Sequence, residues 1–205
     1  MSASDNYEKT IYSDEVVAFT TLAAEYCKFL NASASFSQKD FVDRALKLLA
    51  ILYVKTLSLP AVEATDADMI EKSVTQEEWD EVHNAVARKL GRFDQYTETL
   101  DPLAGDDAMT SLSEGFADIY QDLKDYVMLM QMGSAEMMID AIGECARNFR
   151  EYWGQRLTNI LRVLHHLQYS GAKLNTTDAI IAKQEDDRPS WERNGQTPND
   201  NYWDE

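Results

Sequence analysis

The chain has 205 residues, 44% of them hydrophobic, and a formal net charge of -17 at pH 7. That length supports one domain with a sizeable core, while the charge disfavours direct binding to nucleic-acid backbones or anionic membranes, polyanions that repel an acidic surface. Only 8 glycines and 4 prolines occur, and runs of Val and Ile bounded by turn residues are missing, so composition points to an all-α protein.

Segment 1–12 has neither the basic region and apolar stretch of a secretory leader nor the glycine at position two that myristoylation needs. It is read as the flexible N-terminus of a cytoplasmic protein. A single helical bundle domain is expected over 13–171. Ser13, followed by Asp14 and Glu15, opens the first helix with a capping hydroxyl and two acids at the positive end of its dipole, and that helix runs to about Leu30. After a break over 33–37, Ser37 caps a second helix in which Phe41, Val42, Ala45, Leu46, Leu48, Leu49, Leu52 and Tyr53 cover most of the circumference. It is expected to be the central helix and to end at Pro60. Its apolar run 48–54 falls far short of the roughly 20 residues a membrane span needs.

An acidic connection over 61–73 leads to Thr75-Gln-Glu-Glu78, which reads as a capping box for a third helix ending near Gly91. Trp79, Val82, Val86 and Leu90 are its buried stripe. Residues 93–109, with Asp101-Pro102 and Gly105-Asp-Asp107, form a polar connection long enough to be an ordered loop over a surface. A fourth helix follows from Ser111, its apolar positions Leu112, Phe116, Ile119, Leu123, Val127 and Met130 holding the helical period until Gly133. The fifth carries Met138, Ile142, Cys145, Phe149, Trp153, Leu157, Ile160, Leu164 and Leu167. At 1.5 Å per residue it is a spine of roughly 50 Å, against which shorter helices pack or through which a homo-oligomer forms. Cys27 and Cys145 occupy apolar positions and are expected as buried free thiols. Beyond 171 the sequence predicts a short helix over 176–184 and an irregular acidic tail in which Trp191, Tyr202 and Trp203 stand among acids.

The segment Asp118-Ile-Tyr-Gln-Asp122-Leu-Lys124, followed by Trp153-Gly154 and then Leu161-Arg-Val-Leu-His165, resembles a bacterial family of helical domains, domain-of-unknown-function family 5063. The resemblance covers residues 16–167, includes 93–102 and leaves the tail outside. It implies an all-helical bacterial protein and no mechanism. In that family's pattern histidines flank the Trp-Gly pair, and this chain has Tyr152 and Arg156 there instead.

Glu114, Asp118 and Asp122 are spaced four residues apart, with Asp125 close to the same line. Carboxylates in such a row can ligate Mg²⁺ or Mn²⁺ through converging oxygens; they also read as a solvated acidic face. Arg156 falls within the apolar stripe of the fifth helix. It is either a structural arginine stacked on Trp153 and paired with Glu114 or an acid of 101–107, or part of an anion pocket with Tyr152, Trp153 and Tyr120. Charge is also segregated: 62–125 holds seventeen acids against five basic residues, whereas 141–173 is locally basic. A hairpin of the fourth and fifth helices then brings Asp118 and Asp122 level with Arg147 and Arg150. His83, His165 and His166 carry no catalytic spacing, and no nucleotide-binding, zinc or nucleophile motif occurs. The leading expectation is a non-catalytic module that presents its acidic surface to a basic protein partner and needs no cofactor. The rivals are a protein using the carboxylate row with Mg²⁺ or Mn²⁺, or Arg156 with an anionic ligand, and a mimic of nucleic acid.

Overall fold

Side-chain caps set where the helices begin. In the computed structural model, which describes residues 3–62, 72–101 and 103–176, the chain runs through α1 (Ala3–Ile11), α2 (Asp14–Asn31), α3 (Gln38–Leu57), α4 (Gln76–Leu90), β1 (Gln95–Asp101), β2 (Asp106–Ser111), α5 (Leu112–Met132), α6 (Ala135–Asn148) and α7 (Gly154–Tyr169). Ser13, Ser37, Thr75, Ser111 and Ser134 each accept a backbone N–H from the first turn that follows, relieving one orphan donor and contributing about 1 kcal/mol apiece. Thr75 and Glu78 complete the capping box in both directions. The all-α bundle and its long final helix thus stand, with α6 running into α7 through a π-helical turn, Phe149–Trp153. Helix α1 lies within 1–12, the segment expected as a flexible N-terminus; it packs on α6 and buries Ile11.

Two expectations are corrected. Residues 93–109 are not a loop but form most of an antiparallel hairpin that ends at Ser111, in which Tyr96 pairs with Thr110 and Glu98 with Ala108. Asp101 makes its turn, accepting the N–H groups of Leu103 (2.8 Å) and Ala104 (3.1 Å), as aspartates in tight turns do. The outer edge of β1 is covered by α7: Gln155 and Asn159 donate to Thr99 O and Arg162 to Thr97 O, at 2.9–3.2 Å. Nor is α3 the central helix. That place belongs to α5, which packs against α2, α4, α6 and α7 and buries Phe116, Ala117, Ile119 and Leu123 completely. Helix α3 is apolar around its circumference because it leaves Ile51, Val54 and Leu57 in solvent.

The stripe of the long helix is consumed inside the chain, Leu157, Ile160, Leu164 and Leu167 facing the core where α7 meets α3. Cys27 and Cys145 are buried free thiols, and burial pushes Cys27 up to about 12. Among the described residues no helix is long and apolar enough to cross a membrane. Most of the 61–73 connection, most of the short helix expected over 176–184, and the acidic tail lie outside the described residues.

Candidate functional site

Two glycines shape the region where the predicted site residues lie, Gly115 at the contact of α5 with α7 and Gly154 in the π turn. At Gly115 a Cβ would sit 2.8 Å from Ile160 Cδ1, so its absence allows the helices to approach closely. Gly154 closes the π turn by donating its N–H to Phe149 O; a Cβ there would strike that oxygen and lie 2.9 Å from the Phe149 ring. One π turn inserts a residue into the helix. It seats Trp153 in the core, edge-on to Phe149 at 4.7 Å, and leaves Tyr152 half in solvent beside Arg156.

Asp118 is the centre of the resulting seam. Its Oδ1 accepts the Trp79 indole N–H from α4 (3.0 Å) and its Oδ2 the Tyr152 hydroxyl (2.6 Å), while the Arg156 Nη1 lies 3.4 Å from Asp118 Oδ2 and 3.7 Å from Glu114 Oε1. The guanidinium also covers the Tyr152 ring at 4.8 Å. Burial opposes its charge, but Tyr152, Asp118, Glu98 and Glu114 outweigh that and hold it more firmly protonated than usual. One turn on, Asp122 accepts from Asn148 Nδ2 (3.0 Å). Asp125 binds the chain entering α4 through Ser73 N–H, Ser73 Oγ and Val74 N–H at 2.7–3.0 Å.

The predicted residues therefore meet in part. Arg156, Tyr152, Glu114 and Asp118 form one cluster, but Arg156 stacks on Tyr152 and not on Trp153, whose side chain is fully buried and faces no ligand. Tyr120 lies elsewhere, since two residues after Asp118 is about 200° around the helix. Glu114 and Asp118 share Arg156 while Asp122 serves Asn148, and among the described residues no group of three or more His, Cys, Asp or Glu is placed to hold a metal ion. Asp118 and Asp122 do come level with the long helix, yet they meet Tyr152, Arg156 and Asn148; Arg147 pairs with Glu144 on its own helix.

Tyr120 instead lines a cleft of about 420 Å³ between α2, α4 and α5, together with Asn31, Glu78, Glu81, Val82 and Lys124. Burial pushes its hydroxyl up. Beside the cleft, Glu77, Glu78, Asp80 and Glu81 stand exposed on the first turns of α4, and none of the ion pairs among the described residues involves them. Another cleft of about 420 Å³ is mainly aliphatic, lined by Val17, Ala24, Val127, Met130 and Met138. Its two charged residues, Glu25 and Lys28, bond each other at 2.7 Å and leave little to orient a ligand.

The domain of unknown function DUF5063 matches residues 10–170. The chain belongs to the DUF5063 family. A crystal structure of protein BF1032 from Bacteroides fragilis is similar at 37% identity and a TM-score of 0.70, over 78% of this chain and 96% of that one. No curated protein matches the chain. The DUF5063 match spans α2 to α7, the hairpin and both carboxylate-bearing faces. Sequence reasoning missed the acidic start of α4 as a surface, although its signal was visible: a capping box spends Glu78 on the helix end while Glu77, Asp80 and Glu81 project outward at helical spacing.

Proposed function

We propose that this DUF5063 protein is a cytoplasmic, non-catalytic interaction module whose acidic surface receives a basic protein partner at the start of α4. The observation that carries the reading is the run of exposed acids Glu77, Glu78, Asp80 and Glu81, none of them in an ion pair among the described residues, at the lip of the cleft floored by Tyr120 and Val82. A lysine or arginine entering it lays its aliphatic stem on Val82 and Ala85 and its charge against Glu78 and Glu81, which outnumber Lys124 there. The Asp118 seam supports a non-catalytic role, because its donors and acceptors already bond one another.

The test compares two variants that remove equal charge: Glu77→Gln/Asp80→Asn/Glu81→Gln on α4, and Asp106→Asn/Asp107→Asn/Glu151→Gln elsewhere. The probe is an amphipathic lysine- and arginine-rich helical peptide titrated by fluorescence anisotropy at 150 mM salt. The α4 variant is expected to bind about tenfold more weakly, since three exposed ion pairs of 0.2–1 kcal/mol each sum to about 1.4 kcal/mol. The control should change by less than twofold. Equal losses from both would make the attraction a property of net charge and sink the α4 site.

A further inference from the structure

Helix α3 keeps apolar side chains in water that the bundle does not cover. Ile51, Val54 and Leu57 are 51%, 59% and 63% exposed. With Ala50 and Ser58 they share a strip about 120° wide at 100° per residue. Single exposed aliphatics are ordinary, but three adjoining ones on one helix mark a contact surface. Arg44 and Lys55 run along one border, and Lys47 stands in line with the strip one turn before Ile51. Helix α3 holds four basic residues against two acids in a chain whose net charge is -17, and Asp43 is already engaged by Lys47 at 2.7 Å. An occupant that suits this strip is apolar on one side and acidic on the other.

The chain supplies such a segment and delivers it to the same helix. Residues 185–205 contain seven acids against two arginines, together with Trp191, Tyr202 and Trp203. They follow a point tied to the start of α3: Asn175 N–H donates to Gln38 Oε1 and Lys39 N–H donates to Asn175 O, both at 3.0 Å. From Gln38, Ile51 lies about 19 Å and Leu57 about 28 Å along the axis at 1.5 Å per residue. Fully extended, the 16 residues from Asn175 to Trp191 reach at most about 53 Å and the 28 to Trp203 at most about 92 Å. Both ends of the strip thus lie within reach of the segment, without which no intramolecular contact could form. We propose that the exposed strip of α3 is the docking surface for the acidic aromatic segment 191–203 of the same chain, with the aromatic rings on Ile51, Val54 and Leu57 and the acids along Arg44 and Lys55.

The experiment uses the full chain with paired cysteines, oxidised at low micromolar concentration by glutathione disulfide, with links located by peptide mass. Ser58→Cys with Asn201→Cys places one thiol at the end of the strip and one beside Tyr202; Glu25→Cys with Asn201→Cys is the control on an exposed part of α2. The 58–201 link within one chain is expected to form about tenfold faster than the 25–201 link, a ratio in keeping with docking that raises local concentration. Adding Ile51→Asp should abolish that advantage. Equal rates for the two pairs would show only random collision and overturn the proposal. A 58–201 link found only between two chains would overturn it in favour of a second copy on the strip.

Discussion

Asp122 carries a carboxylate into a largely buried position where its hydrogen-bond donor is the neutral amide of Asn148. Burial raises its pKa to about 6; Asn148 and Lys72 oppose the shift, and Asp125 and Asp118 add to it. The folded pKa lies above the unfolded value near 4, so the folded state holds this proton more tightly. The associated stability is complete below pH 4 and lost as pH rises through 6. Asp122→Asn removes the titrating charge and keeps an oxygen able to accept from Asn148. At pH 7.5 the variant should be more stable than the parent by about 1–3 kcal/mol, at 1.36 kcal/mol per pKa unit. The gain should shrink through pH 6 and vanish near pH 4, as read from urea midpoints at several pH values. A gain that ignores pH would assign the effect to packing. The neighbouring Asp118 differs in kind, because indole, phenol and guanidinium all converge on it, and it belongs to the frame that joins α4, α5 and α7.

At the scale of elements, the two close-approach glycines make a paired prediction. Gly154→Ala drives a methyl into the Phe149 carbonyl and within 2.9 Å of its ring, neither of which can yield without losing the π turn. The expected cost is about 2–3 kcal/mol, the upper range for overpacking. At Gly115 the obstacle is the far end of the Ile160 side chain, which can rotate, so Gly115→Ala should cost about 1 kcal/mol. Urea denaturation of the two variants reads the difference, and a smaller loss at Gly154 would mean that the π turn is not held by this packing. The π turn itself was invisible in the sequence, because its stripe through Phe149, Trp153 and Leu157 keeps ordinary helical spacing. Helix starts were legible for a local reason: a serine or threonine cap bonds within three residues. The hairpin was hidden because Glu98 points inward with Tyr96, which breaks the apolar alternation that announces a strand. The place of α3 was misjudged because an apolar circumference looks alike whether a face is covered by the bundle or left open. Arg156 was legible as an anomaly, but its partners Asp118 and Tyr152 depend on the register of α5 against α7, which no local pattern encodes.

Across the whole molecule, acidic residues join helices mainly through neutral donors. Asp94 accepts from Ser113, Asp118 from Trp79 and Tyr152, Asp122 from Asn148, and Asp125 from Ser73 and Val74. Of the ion pairs among the described residues, only those of Arg156 with Glu114 and Asp118 connect different helices; the others lie within one helix at i,i+3 or i,i+4. A carboxylate held by a hydroxyl or an amide is satisfied but not neutralised. The fold therefore retains its net charge of -17 as unrelieved self-repulsion, which destabilises a compact state and is screened over a Debye length of about 10 Å at 0.1 M salt. Raising NaCl from 10 to 300 mM at pH 7.5 should then raise the melting temperature. A relief of about 1 kcal/mol corresponds to roughly 2–4 °C for a chain of this size. Asp122→Asn and the triple substitution on α4 should each melt higher at low salt and respond less to added salt. If the melting temperature instead falls as salt is added, attraction between opposite charges dominates, and the view of carboxylates as uncompensated links between helices is wrong.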